Sequence, residues 1–212
     1  MITLGDATVA TGVPFALVLG LRRLWKTSNG VWRPYLRGAA TAFVALLFET
    51  FLSDYFSSFA SGEYGSGIEA FLFIALPEEL VKTALIYMIV LEWSKAGFRE
   101  VGILSAAVGA GFAAAENFLY LAQLGSVVII QRLLTATPFH TFVAIVVAKL
   151  IFVGVQRRRA EFVTLALFVG TVLHGTYDYL ILSPYGDKER FVFALALTSS
   201  LALNLLRQEK SS

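Results

Sequence analysis

Residues 75–85, ALPEELVKTAL, place Pro77, Glu78, Glu79 and Lys82 inside a run that is otherwise largely apolar from Ile68 to Trp93. A membrane span needs about 20 mostly apolar residues to cross roughly 30 Å of hydrocarbon, and this run is long enough. Two adjacent carboxylates and an amine near its middle then need a reason. A charged side chain at the centre of a membrane helix costs about 2.5 to 3.5 kcal/mol on the insertion scale.

The surrounding chain supports the membrane reading. It has 212 residues, of which 57% are hydrophobic and 15% charged, and a mean hydropathy of +0.72. A soluble domain carries about a quarter charged residues. Seven runs meet the length rule: roughly Thr8 to Trp25, Gly38 to Ala60, Gly67 to Trp93, Val101 to Leu124, Val127 to Phe152, Phe162 to Leu182 and Phe191 to Leu206. The expected fold is all-α, a polytopic transmembrane helical bundle of about seven spans forming one integral membrane domain over residues 1–212. The first run follows Asp6 rather than a basic stretch and lacks a small-residue cleavage site, so it reads as a retained span and not a signal peptide. There is no cysteine, which removes disulfides and thiolate metal ligands.

Basic residues mark the topology. Arg22, Arg23, Lys26, Arg33 and Arg37 follow the first run, Lys95 and Arg99 the third, Arg157, Arg158 and Arg159 the fifth, and Arg207 and Lys210 the seventh. Lys and Arg are in excess on the cytoplasmic side, which predicts an outer N-terminus and a cytoplasmic C-terminus. Each cluster abuts a span end without aromatic interleaving, so a lipid bilayer is the expected surrounding and nucleic acid is not an expected partner.

Four spans carry polar groups at similar depth. In the third, Lys82 lies i+4 from Glu78 and i+3 from Glu79 and can pair with either. One pair would neutralise itself, so the second carboxylate is surplus. Pro77 lacks an amide hydrogen and predicts a helix break beside Glu78, with water reaching it. The fourth span packs through small residues, among them Gly109 and Gly111, and then presents Glu116, Asn117 and Tyr120. The fifth repeats the proline arrangement, with Pro138 two residues before His140 near the centre of the run. The sixth carries His174 and Asp178 on one helix face. That pair fits either a carboxylate orienting an imidazole or two ligands of one metal. Glu49, Asp54 and Arg132 also need partners and read as structural: Asp54 and Arg132 pairing with each other or reaching the interface, Glu49 deep and the exception to watch.

The order Glu78-Glu79-x-x-Lys82, Phe112-x-x-x-Glu116, His140 and His174-x-x-x-Asp178 on successive spans resembles the PrsW family of intramembrane proteases over residues 68–182. The wider group of CAAX-prenyl-protease-like proteins has a similar scheme, with histidine where this chain has Glu116 and asparagine where it has Asp178. Those departures favour the PrsW branch. The resemblance implies peptide-bond hydrolysis in or near a prokaryotic plasma membrane, as in first-site cleavage of a single-span anti-sigma factor. The expected substrate is a single-span membrane protein or peptide.

The catalytic set expected is Glu78, Glu79, Glu116, His140, His174 and Asp178, supported by Lys82 and Asn117. Apolar surroundings make a carboxylate a stronger base, so Glu78 or Glu79 is expected to activate water while Lys82 keeps the other ionised. His140, His174 and Asp178, with Glu116 as a fourth or outer group, suit a hydrolytic zinc. A metal-free route, with His174 oriented by Asp178 and His140 at the oxyanion, stays open beside it. The rival readings are a non-catalytic scaffold or chaperone, like the related scaffold subunit of gamma-secretase, and a proton-coupled transporter. A zinc-dependent lipid hydrolase would want three histidines, and this chain has two.

Overall fold

The structure is a computed structural model that describes residues 3–56, 65–182 and 188–208. Every regular element among the described residues is helical. In chain order they are α1 (Leu4–Leu24), α2 (Trp32–Phe56), α3 (Gly65–Ile68), a π-helical segment (Glu69–Ala75), α4 (Leu76–Trp93), a 3-10 turn (Ser94–Ala96), α5 (Phe98–Leu124), α6 (Val127–Leu134), α7 (Ala136–Arg157), α8 (Glu161–Leu182) and α9 (Lys188–Arg207).

Helix α5 is the axis of the bundle. It packs against α1, α2 and α7, while α4 and α8 complete the layer around α7. From Val101 to Ala115 every residue of α5 is buried, which requires neighbours on all sides. Gly109 and Gly111, predicted to permit close packing, do so, and Gly38 of α2 joins them. A methyl group on Gly109 would collide with the backbone carbonyl of His140, one on Gly111 with the carbonyl of Tyr35, and one on Gly38 with the carbonyl of Val108. Backbone contact at Gly109 is what brings α7, at His140, against α5.

Five helical stretches among the described residues are long and apolar enough to cross a membrane: Leu4–Leu24, Trp32–Tyr55, Phe98–Leu124, Val127–Arg157 and Glu161–Leu182. The run from Gly65 to Trp93 is long enough but carries Glu69, Glu78, Glu79, Lys82 and Glu92. The stretch Ala194–Arg207 is apolar but shorter. The apolar side chains exposed on α2, including Phe43, Leu47 and Phe51, fit a surface that meets lipid rather than water.

Two sequence expectations about prolines are corrected. Pro77 does not break its helix, which continues from Gly65 to Trp93. The preceding π-helical segment opens the turn instead, with the Leu76 amide donating to the carbonyl of Phe71 five residues back. A wider turn accommodates the ring and the missing amide hydrogen. Pro138, conversely, is not mid-helix. The fifth run divides at Thr135 (φ −120°, ψ −70°), so Pro138 lies in the first turn of α7, where its lack of an amide hydrogen costs little. A continuous helix would have pressed the proline ring against the carbonyl of Leu134, one turn back. His140 therefore stands one turn from the start of α7, not at the centre of a single span.

Gly109→Ala is expected to destabilise the detergent-solubilised protein by about 1–3 kcal/mol of overpacking, read as a clearly lowered thermal unfolding midpoint. Gly12→Ala, in α1 with open space around it, is expected to leave the midpoint unchanged or slightly raised.

Candidate active site

Lys82 is the hub. Its side chain is 2% exposed, and its ammonium reaches Glu79 Oε1 at 2.7 Å, Glu78 Oε2 at 3.3 Å, His140 Nδ1 at 3.3 Å and His174 Nδ1 at 3.5 Å. The ring of Phe112 lies 4.2 Å from it, a cation–π contact that closes the shell from the α5 side. Glu78, Glu79 and Lys82 share one turn and a half of α4, so a single helix delivers both carboxylates and the cation between them.

The histidine tautomers follow from these contacts. An ammonium has only hydrogens to offer, so His140 Nδ1 accepts from Lys82 and Nε2 carries the proton, directed at Glu116 Oε2 2.7 Å away. Glu116 is held on its other oxygen by Arg132 Nη2 at 3.3 Å. His174 donates from Nδ1 to Glu79 Oε1 at 3.0 Å. Its Nε2 faces Asp178 Oδ2 at 3.3 Å and Glu78 Oε2 at 3.6 Å. The two imidazoles stand edge to face, with centroids 4.8 Å apart. Phe139 stacks on Tyr177 with centroids 4.3 Å apart, and the Tyr177 hydroxyl donates to Thr135 Oγ1, tying α8 to the start of α7.

Gly170 on α8 provides the room for Glu79, since a methyl there would lie 2.8 Å from Glu79 Oε2. Asn117 donates to Thr137 Oγ1 at 3.0 Å and accepts from Arg132 Nε at 3.0 Å. Arg132 also lies 3.8 Å over the Tyr120 ring. The expected pairing of Arg132 with Asp54 is not formed: the arginine turns to Glu116 and Asn117, and Asp54 is exposed.

A cavity of about 310 Å³ opens onto this cluster. Glu78, Glu116, His140, Asp178 and Arg132 line it, whereas Glu79, Lys82 and His174 are not on its wall. Leu46 of α2 and Ile181 and Leu182 of α8 form an apolar rim. Glu49 also lines the cavity, so the deep acid of the second span joins the site. Its depth was readable from the sequence, but the side of α2 it occupies was not. Arg132 was not anticipated here, because the break that turns α6 across the cavity has no strong signal beyond Pro138.

The polar groups suit a metal. Glu78, His140 and His174 offer donor atoms that all lie within 4.8 Å of one another, and imidazole with carboxylate is a hydrolytic zinc set. Asp178 Oδ2 is buried without a hydrogen bond of good geometry and faces the unprotonated Nε2 of His174, as expected of two lone-pair donors whose shared partner is a cation. Both expected histidines are in this group, Glu78 stands with them, and Asp178 Oδ2 lies 3.3 Å from His174 Nε2.

The description "PrsW family intramembrane metalloprotease" matches residues 30–203. The protease PrsW of Geobacillus kaustophilus is 31% identical over 205 residues, which cover 93% of this chain and 86% of that protein. That of Clostridioides difficile is 26% identical over 162 residues, covering 71% and 66%, and that of Halalkalibacterium halodurans 28% over 163 residues, covering 74% and 72%. No solved structure matches the chain. With a membrane-type helical bundle and buried hydrolytic groups at one cavity, the chain belongs to the PrsW family of intramembrane metalloproteases and is a membrane peptidase.

Proposed function

We propose that this peptidase hydrolyses a peptide bond of a single-span membrane protein or membrane-anchored peptide, with Glu78 as the base. The observation that carries the assignment is the unequal placement of the two adjacent carboxylates. Glu78 lies on the cavity wall, while Glu79 is held by Lys82 and His174 and packed on Gly170. Glu78 takes the proton of the attacking water and returns it to the leaving amine. Glu79 fixes His174, Asp178 meets the far nitrogen of that ring, and Glu116 fixes His140. Lys82 offsets the charge of both glutamates, and Asn117 holds Arg132 in line with Glu116.

The metal proposed is zinc, held by His140, His174 and Asp178, which leaves Glu78 beside it free to act as the base; the metal would take the His140 Nδ1 lone pair that otherwise accepts from Lys82. When bound there it would acidify a water and polarise the scissile carbonyl. The proposed setting is a prokaryotic plasma membrane, in keeping with the bacterial relatives, with seven passes, the N-terminus outside and the C-terminus cytoplasmic, in keeping with the basic clusters. First-site cleavage of an anti-sigma factor is the substrate class that fits this placement.

The test is cleavage of a panel of single-span reporters by the purified protein in liposomes. Glu78→Gln is expected to lower turnover by about 10²–10⁴-fold, the range for removing a general base. Glu79→Gln and His174→Ala are expected to lose most activity while keeping the fold, as judged by circular dichroism. Chelation is expected to abolish cleavage and zinc to restore it; full activity after exhaustive chelation would leave the glutamate route without metal. If the wild type cuts no reporter but retains a membrane partner that the variants lose, the scaffold reading takes its place.

For the topology, a cysteine introduced at Ser212 is expected to be labelled by a membrane-impermeant maleimide only after the inner face is opened, and one at Thr3 in intact cells. The reverse pattern would invert the proposed orientation.

A further inference from the structure

We propose that Arg132 is a catalytic residue that binds the oxygen of the scissile carbonyl and the oxyanion formed from it. The assignment rests on the peptidase reading of the cavity.

Attack of water on an amide places a negative charge on the carbonyl oxygen, and a donor fixed in advance at that position is worth most in a site that excludes water. The histidines and the lysine have little left to give. His140 Nε2 is directed at Glu116, His174 Nδ1 at Glu79, and the three hydrogens of Lys82 are divided among Glu78, Glu79 and His140 Nδ1. Lys82 is also not on the cavity wall. Among the described residues that line the cavity, Arg132 is the one with a permanent positive charge.

The guanidinium is held as such a role requires. Nε donates to Asn117 Oδ1, the Tyr120 ring supports one face of the group, and Asn117 is itself fixed by Thr137. Nη2 is buried and lies 3.3 Å from Glu116 Oε1, yet it makes no hydrogen bond of good geometry. A guanidinium has five hydrogens, so donors remain after its support is complete. Through Glu116, whose other oxygen meets His140, Arg132 is one carboxylate away from the histidine on the same wall. A purely structural arginine would satisfy Glu116 from any depth; this one lines the cavity that Glu78 also lines.

In the step assigned, the water oxygen bonds to the carbonyl carbon as Glu78 takes its proton, and the carbonyl π electrons move to the oxygen held by Arg132. The carbon–nitrogen bond then breaks, those electrons return, and the proton on Glu78 passes to the leaving nitrogen. Arg132 stays protonated throughout.

The experiment compares the wild type with Arg132→Gln and Arg132→Lys in liposomes. It measures kcat and KM on a reporter, together with the affinities of two non-cleavable peptides of one sequence. One peptide has a tetrahedral phosphinate at the scissile position; the other is an amide methylated on nitrogen. Arg132→Gln is expected to lower kcat by about 100-fold, the loss typical of one oxyanion donor, with KM nearly unchanged. Phosphinate affinity should fall in proportion and amide affinity should hold. Arg132→Lys, which keeps the charge but not the planar fork, should fall between.

Equal loss for the phosphinate and the amide, or a loss that Glu116→Gln reproduces in full, would make Arg132 a support for Glu116 and overturn the proposal. If Arg132→Gln fails to fold, the two affinities in Arg132→Lys decide by the same criterion. If the wild type cuts and Glu78→Gln does not, while Arg132→Gln cuts at the wild-type rate, this proposal alone falls. A wild type that cleaves nothing removes the peptidase reading of the cavity and the proposal with it.

Discussion

The buried ammonium of Lys82 is the constraint on which the rest of the site depends. An isolated charge in a low-dielectric interior is costly, and it persists only with close counter-charges and satisfied hydrogens. Here α4 gives Glu78 and Glu79 and α7 gives His140 Nδ1, while His174 of α8, whose Nδ1 donates to Glu79, joins the shell through that carboxylate. The ammonium therefore acts as a clamp as well as a countercharge. Removing it would leave two carboxylates facing each other, and removing either glutamate would leave the cation under-compensated. Evolution of the site is limited to changes that keep this sum close to balanced.

The same clamp separates the roles of two adjacent residues. Glu78 and Glu79 are chemically identical and neighbours in sequence, but about 100° apart around their helix. That rotation puts one on the cavity wall and turns the other toward Lys82, His174 and Gly170. A bystander glutamate fixed by strong partners and a second one facing a cavity is how a single sequence motif yields two different carboxyl groups.

Much of this was legible in the sequence. The intramembrane charges of Glu78, Glu79, Lys82, Glu116, His140, His174 and Asp178 stood out because each is expensive in an apolar run, and the structure brings all seven together. The glycines of α5 were legible as packing residues for a similar reason, since small residues let backbones touch. The details at Pro77 and Pro138 were not, because a proline forbids a hydrogen bond without saying how the chain will avoid needing it. One was absorbed by a π turn and the other by ending α6. The facing direction of Glu49 and Arg132 depended on those same local choices and on how α2 and α6 pack, so depth was readable where orientation was not.

The π-helical segment Glu69–Ala75 has a consequence for how the family can vary in length. It holds one residue more per turn than an α-helix, a surplus housed immediately before the catalytic turn. Deleting a single residue there would let the wide turn close to an ordinary α turn, leaving the downstream side chains turned by only a few tens of degrees, whereas the same deletion in regular α-helix turns them by about 100°. Glu78 and Glu79 would keep close to their present facing toward the cavity and the clamp. Insertions and deletions are usually tolerated best in loops; in this chain the wide turn is a stretch inside a helix where a one-residue loss need not become a change of phase at the reacting groups.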